Sequence, residues 1–549
     1  MSGNRVIAVR LVLAVTRLFG ASVLVVAPCW AQHASPGGTN HAAGATNHAA
    51  GAETQRASKT KWSPSAKRFS VRADALIDAG PAAQGEWGAL VMDAASGEIL
   101  YQRNAEKSFV PASNMKLLTT AFALAKLGPE YRFRTTAETR GALSPDGLLS
   151  SDVVLVGRGD PNLSNRRFPF AVKEEFDGAP ERVLAEMADA IVAHGVKAIS
   201  GDVVGDDSYF PRERYPAGWE IDDMVWEYGA AISAIVVDDN TVRVILTPGP
   251  KPGDAVRAEV IPGTPDFTVT NHVTTSVAGA KADLTLTREP GSQVVVVSGT
   301  LPADAPPRTL LMAIEEPALH AAALLRDLLE ARGVKISGVA RATHESVDLP
   351  DVPAVLAEHQ SVPLKDSVKL VNKISQNLHA EVYLRATARQ GGPWKTPDDL
   401  ANFPRSFYGE AGIVAGDVVQ LDGSGLSRHD LVTPRSLVAI LHYAQSQPWF
   451  NFYYDSLPVA GVDGTLEDRM KNTAAAGRIH AKSGSLEHAR TRSGYAETAS
   501  GKRLIFSFMG NNQAGKNHEA TEVLDGLCVA MAEEWAAVKP VKTAKHPAH

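Results

Sequence analysis

The chain has 549 residues, 44% hydrophobic and 21% charged, with 45 glycines and 33 prolines. That length exceeds what one hydrophobic core organises, so two or three domains are expected, and the glycine and proline content predicts many turns and substantial β structure. A net charge of −6 offers no basic excess for nucleic acid, and two cysteines are too few for a disulfide-built scaffold.

Residues 1–31 have the layout of a secretory signal peptide. Arg5, Arg10 and Arg17 precede an apolar run from Leu18 to Pro28, and a cut after Ala31 leaves small residues at Cys29 and Ala31. The run is short for a membrane span, and Pro28 disfavours a lipid-modified Cys29. The expected protein is therefore exported, to the periplasm or cell envelope. Loss of three arginines takes its net charge to −9 and leaves Cys528 alone, so no internal disulfide is expected. No other run reaches membrane length, so any membrane contact is expected to be peripheral. Residues 32–68 read as a flexible linker containing TNHAAGA twice, at 39–45 and 46–52. Its His33, His41 and His48, like His546 and His549 of the 541–549 tail, read as polar spacer, and no metal or cofactor is expected.

From Phe69 an ordered fold is expected. WGALVMDAASGEILYQRN, 87–104, reads as a hairpin turning at Ala95-Ser96-Gly97. PASNMKLLTTAF opens a helix over 111–128, ended by Gly128 and Pro129. Strand-like runs follow at 152–159, 201–207, 232–249 and 292–301, with helical patterns at 179–195 and 316–333. From 360 the periodicity is helical again, 477–512 alternates as an antiparallel meander, and a helix over 519–538 closes the fold. Val523, Leu524, Leu527 and Trp535 give that last helix one apolar face, directed at the sheet.

Ser113 and Lys116 stand at i and i+3 on one helical face. A serine hydroxyl needs a base within reach, and a lysine serves as that base only when burial or nearby positive charge lowers its pKa. Ser-x-x-Lys alone recurs by chance. Two further segments add to it: Ser375-Gln376-Asn377, a hydroxyl and an amide two residues apart, and Lys482-Ser483-Gly484, a cation, a hydroxyl and a glycine in a strand pattern. Read singly, the first could be a helix cap and the second a hairpin turn.

In order, SNMK, SQN and KSG match the Ser-x-x-Lys, S-D-N, K-T-G signature of penicillin-binding proteins and class A β-lactamases, with Gln for Asp and Ser for Thr. The 262 residues from Ser113 to Ser375 resemble the low-molecular-mass class C (type-4) penicillin-binding proteins, the D-alanyl-D-alanine carboxypeptidase/endopeptidases of peptidase family S13. VGRGDPNLS (156–164), GDVVGDDSYF (201–210), AISAIVVDDN (231–240), LDGSGLSRHDLVTP (421–434) and AGVDGTLEDR (460–469) are similar to the same family.

The resemblance implies an α/β (α+β) penicillin-recognising, transpeptidase-like domain, an antiparallel sheet with helices on both sides. It would comprise residues 69–135 and 356–540, interrupted by a β-rich insertion, 136–355, of one or two domains. It implies Ser113 as nucleophile, Lys116 as its base, Ser375 as proton relay, and Asn377 holding the substrate amide. Lys482 and Ser483 would meet the terminal carboxylate, Gly484 would let an extended substrate lie against the backbone, and the N–H groups of Ser113 and Ser485 would form the oxyanion hole. Asp206 and Arg428 would contact a diamino side chain. Peptidoglycan stem peptides would be substrates and β-lactam antibiotics acylating inhibitors. The competing readings are a serine β-lactamase, an esterase of the same fold, and an exported binding protein with a dead site. Oligomeric state and the balance of carboxypeptidase to endopeptidase action are open at this point.

Overall fold

The computed structural model describes residues 63–535, apart from 172–174, 265–266, 346–351, 395 and 515–516. The stretch read as a signal peptide, the 39–52 repeat and the 541–549 tail lie outside these residues. Helix α1, Pro64–Ile77, begins inside the stretch read as linker to 68. Its start has a local cause: Ser63 Oγ caps Ala66 N, Pro64 follows, and Ala66, Phe69, Ala73 and Ile77 recur at helical spacing and are buried.

Strands β1 (Glu86–Asp93) and β2 (Ile99–Arg103) form the expected hairpin. A 3-10 turn, Ala112–Asn114, leads into α2, Met115–Lys126, which is buried on every side from Met115 to Leu124. After the insertion come α3 (Leu364–Lys373), α4 (Asn377–Gln390) and α5 (Pro434–Ala444), then β3 (Ile479–Leu486), β4 (Ala489–Glu497), β5 (Arg503–Asn511) and α6 (Asn517–Glu534). The strands form one antiparallel sheet in the order β2-β1-β5-β4-β3. Both faces are covered, so the central strands β1 and β5 read as nearly continuous apolar runs. On β5, Leu504, Phe506 and Phe508 pack with α1 and α6, while Ile505 and Met509 pack with α2 and α5. Leu524 and Leu527 of α6, and Trp535 just past its end, are buried in the core on that face of the sheet as their spacing predicts.

The intervening residues build two β bodies. One is a five-stranded sheet of Ala340–Thr343, Val203–Asp206, Val153–Val156, Arg134–Thr139 and Ala354–Gln360, in that order, covered by helices Arg182–Ala193 and Pro317–Ala331. The other packs two three-stranded sheets around Val242, Val244, Val295, Val297 and Met312. The run 232–249, expected as one strand, is broken into Ile235–Val237 and Thr241–Thr247. Asp238, Asp239 and Asn240 between them have φ of +46°, +57° and +55°, a conformation that Asp and Asn adopt more readily than other side chains. Phe210, Trp219, Ile232 and Val236 join the same core as α2 and α4, so this part of the insertion shares the core of the flanking segments.

Candidate active site

Ser113 is placed by a strained turn. Ala112 has φ of +46°, and its backbone is wedged between two glycines. A Cβ on Gly425 would stand 1.8 Å from Ala112 O, and one on Gly484 would stand 2.7 Å from Pro111 O and 3.0 Å from Ala112 Cβ. Gly484 is therefore required by the turn that carries Ser113, in addition to lining the cleft where it is expected to let a substrate lie. Thr491 Oγ1 donates to Pro111 O at 2.7 Å and Asn114 Nδ2 donates to Ser493 Oγ at 2.9 Å, tying the turn to β4. Gly425→Ala is expected to destabilise the protein by roughly 3 kcal/mol or more and to slow acylation, read by thermal unfolding and penicillin labelling together.

Lys116 is completely buried one helical turn below. Its Nζ lies 2.9 Å from Ser113 Oγ, 2.6 Å from Asn377 Oδ1 and 2.8 Å from Ser424 O. The last two atoms can only accept. A neutral amine gives its two N–H groups to them and turns its lone pair toward the Ser113 hydroxyl. Burial lowers the lysine pKa to about 7, against the opposing pull of the Asp422 and Glu381 charges, so the neutral form is accessible near neutrality.

Ser375 lies in the gap between α3 and α4, with φ of +64°. Its Oγ is 3.0 Å from Ser113 Oγ and 2.9 Å from Lys482 Nζ, and Lys482 also donates to Ser483 O at 2.8 Å. Burial, then the charge of Lys116, holds the Lys482 pKa well below the ordinary lysine value. An arriving carboxylate would oppose that shift and favour the ammonium. Asn377 is occupied on both atoms: Oδ1 by Lys116, and Nδ2 by Tyr228 O at 2.8 Å, which leaves one amide N–H for a substrate.

Strand β3 is the sheet's edge. Ala481 N donates outward to Pro458 O, and Ile479 O accepts from Ala460 N on the same side. Backbone groups alternate along a strand, so the N–H groups of Ser483 and Ser485 also point outward, toward the cleft. The cleft has a volume of about 700 Å³, and Ser113, Ser375, Asn377, Ser483, Ser485 and Arg428 all border it.

Arg428 is there, paired with Glu220 through Nε at 2.5 Å, with Asp223 on the same wall. Asp206 is not. It lies in the insertion's five-stranded sheet, caps Ser208 N at 2.9 Å and borders a separate cavity with Arg341 and Asp152. Neighbouring Asp207 is no nearer the chemistry, bonding Ser233 and His344. The acids beside Arg428 are thus Glu220 and Asp223, which the family-like stretches did not include. Asp206→Ala is expected to leave peptide hydrolysis within twofold of the parent, measured as kcat/KM.

A buried acid cluster beneath Lys116 also escaped the sequence reading. Asp422 accepts from Ser424 N at 3.1 Å, Gly425 N at 2.6 Å and Ser427 N at 2.7 Å. Glu381 accepts from Ser424 N at 2.8 Å and from Arg385 Nη1 at 2.9 Å, and Arg385 reaches Glu213 at 2.7 Å. Burial and the Asp422 charge raise Glu381 to about 7 and push Asp430 well above the ordinary aspartate value. The Glu381/Arg385 pair at i and i+4 was a visible signal; Ser424 acts through a carbonyl, which no side chain reports. Among the described residues, no group of three or more His, Cys, Asp and Glu is placed to hold a metal ion, and no helix is long and apolar enough to cross a membrane.

The profile of the D-Ala-D-Ala carboxypeptidase 3 (S13) family matches residues 71–532. The chain is 35% identical over 481 residues to a D-alanyl-D-alanine carboxypeptidase of Actinomadura sp. (strain R39), covering 84% of each chain. It is 26% identical over 416 residues to the D-alanyl-D-alanine carboxypeptidase DacB of Haemophilus influenzae, covering 74% of this chain and 82% of that one. The crystal structure of penicillin binding protein 4 from Haemophilus influenzae superposes with a TM-score of 0.72 at 24% identity, over 84% of this chain and 98% of the other, a likeness of fold.

Proposed function

This chain belongs to the D-Ala-D-Ala carboxypeptidase 3 (S13) family, and we propose that it is a serine D-Ala-D-Ala carboxypeptidase/endopeptidase that cuts peptidoglycan stem peptides through an acyl-enzyme on Ser113. One observation carries the assignment of roles. Lys116, Ser113, Ser375 and Lys482 form a continuous chain of contacts of 2.9, 3.0 and 2.9 Å, drawn from three segments far apart in sequence.

Neutral Lys116 removes the Ser113 proton as Oγ bonds to the carbonyl carbon of the penultimate D-Ala. The oxyanion that forms is received by the N–H groups of Ser113 and Ser485, the latter facing the cleft by strand parity. As the C–N bond breaks, Ser375 relays to the departing amine the proton that Lys116 took, which restores the Ser375 hydroxyl and the neutral lysine. Lys482 and the Ser483 hydroxyl hold the terminal carboxylate by charge-assisted bonds. Asn377 orients Lys116 and offers its remaining N–H to the substrate amide. Arg428, with Glu220 and Asp223, meets a diamino side chain. Water then cleaves the ester. A β-lactam acylates the same Oγ and, with its amine still tethered, departs slowly. The proposal places the protein in the periplasm or cell envelope after removal of residues 1–31, with the 136–355 insertion beside the cleft.

The test is the fate of a fluorescent penicillin on the purified mature protein. A persistent covalent adduct, with release of D-Ala from a stem pentapeptide, is expected. Rapid turnover of the drug would indicate a β-lactamase instead, and absence of any adduct would leave an esterase or a dead-site binding protein. Digestion of cross-linked muropeptides measures the endopeptidase share.

A further inference from the structure

The left-handed turn Asp238–Asn240 is held in a conformation that L-residues avoid, and several side chains keep it there. Asn240 Nδ2 donates to Ala231 O at 2.9 Å, Asn240 Oδ1 accepts from Val237 N at 3.2 Å, and Arg243 bonds Asp238 at 2.7 Å. The effect is to deliver Asp239 to the motif between α3 and α4. Its carboxylate takes Arg166 in a two-point pair at 2.8 and 2.7 Å, His379 Nε2 at 2.8 Å and Gln376 Nε2 at 3.0 Å. Gln376 is the middle residue of the SQN segment, flanked by the strained Ser375 and by Asn377, whose amide is held by Tyr228 O. Two insertion residues therefore grip the segment that supplies the proton relay.

We propose that Asp239 is a positioning residue for Ser375 and Asn377, acting through Gln376, so that the β-rich insertion is an integral part of the catalytic site. The inference rests on the roles given above to Ser375 and Asn377. It also accounts for the departure from the S-D-N pattern. An aspartate at 376 would set a second carboxylate against Asp239, whereas glutamine donates an N–H to it while its Oε1 lies 3.4 Å from His379 N as the cap of α4. A strained relay serine needs such external support, since the backbone at +64° would otherwise relax and carry Oγ away from Ser113.

The test uses the full mature protein and the rate of Ser113 acylation by penicillin, with thermal unfolding as control. Gln376→Leu leaves the Arg166–Asp239–His379 cluster intact and is expected to slow acylation about 10- to 100-fold with KM for peptide within twofold and Tm little changed. Gln376→Glu is expected to be equally slow, because two carboxylates then face each other. Adding Asp239→Asn to it restores a donor opposite an acceptor and is expected to recover at least tenfold, which a purely structural role would not produce. Parental acylation rates in both single variants would overturn the proposal, as would failure of the double variant to recover any rate. A parent protein that never acylates would instead overturn the catalytic assignment, and the two failures are distinct.

Discussion

Ser113→Ala is expected to abolish the penicillin adduct and to lower D-Ala release about 10⁴-fold, while the protein stays folded. Two hydroxyls compete for the role of nucleophile, since Ser375 Oγ lies only 3.0 Å from Ser113 Oγ. Lys116 decides between them. It bonds Ser113 at 2.9 Å and is otherwise committed to Asn377 and Ser424, whereas Ser375 receives its bond from Lys482. Ser375→Ala should therefore still label, about 10²-fold more slowly, with the adduct on the peptide that contains residue 113. Mass spectrometry of the labelled protein reads the position directly, and an adduct on Ser375 would overturn the assignment. The fold should survive Ser113→Ala because the neutral amine keeps both of its N–H acceptors.

Activity is expected to fall on the acid side with an inflection close to pH 7, the value to which burial brings Lys116. The sign follows from the proton count. Once protonated, Nζ donates to all three of its neighbours and has no lone pair left for the Ser113 proton. Two pH units below the inflection, kcat/KM for a D-alanyl-D-alanine peptide should be about 100-fold lower than its plateau. Asp422→Asn removes a negative charge that favours the ammonium, so the acid limb should move to lower pH and the variant should outperform the parent at pH 5 relative to plateau. The same substitution lowers the Glu381 pKa, because Asp422 is one of the causes that raise it, and a more fully ionised Glu381 favours the ammonium and offsets part of the shift. The Asp422 charge is the larger of the two acting on Lys116, so the net direction stays downward. A profile that is flat from pH 5 to 8, or a limb that moves upward in Asp422→Asn, would rule out a neutral Lys116 as the base.

Much of the architecture was legible because its signals are local. The i, i+3 spacing of Ser113 and Lys116 needs only one helical turn, here a 3-10 turn at Ser113 that runs into α2 at Met115 rather than a helix from 111. The alternation over 477–512 needs only strand geometry, which the β3–β5 meander shows. The apolar stripe of α6 was equally plain. The break at 238–240 was not, since apolar periodicity carries no record of a positive φ, and its only trace was the Asp-Asp-Asn composition. Asp206 shows the opposite error: an acid in a family-like stretch was assigned to the cleft, but the register of the insertion's sheet carries it to another cavity.

The sequence by itself determined which side chains could do the chemistry and on what kind of element each would sit, because residue type and short-range periodicity encode both. Only the tertiary structure decided that they meet. Closing Ser113, Ser375 and Lys482 to within 3 Å of their neighbours depends on the burial of α2 between the sheet and α4, on Gly425 and Gly484 yielding space to Ala112, and on carbonyls at Tyr228 and Ser424. Those determinants are shape and backbone position summed over long-range contacts, and no single residue type announces them.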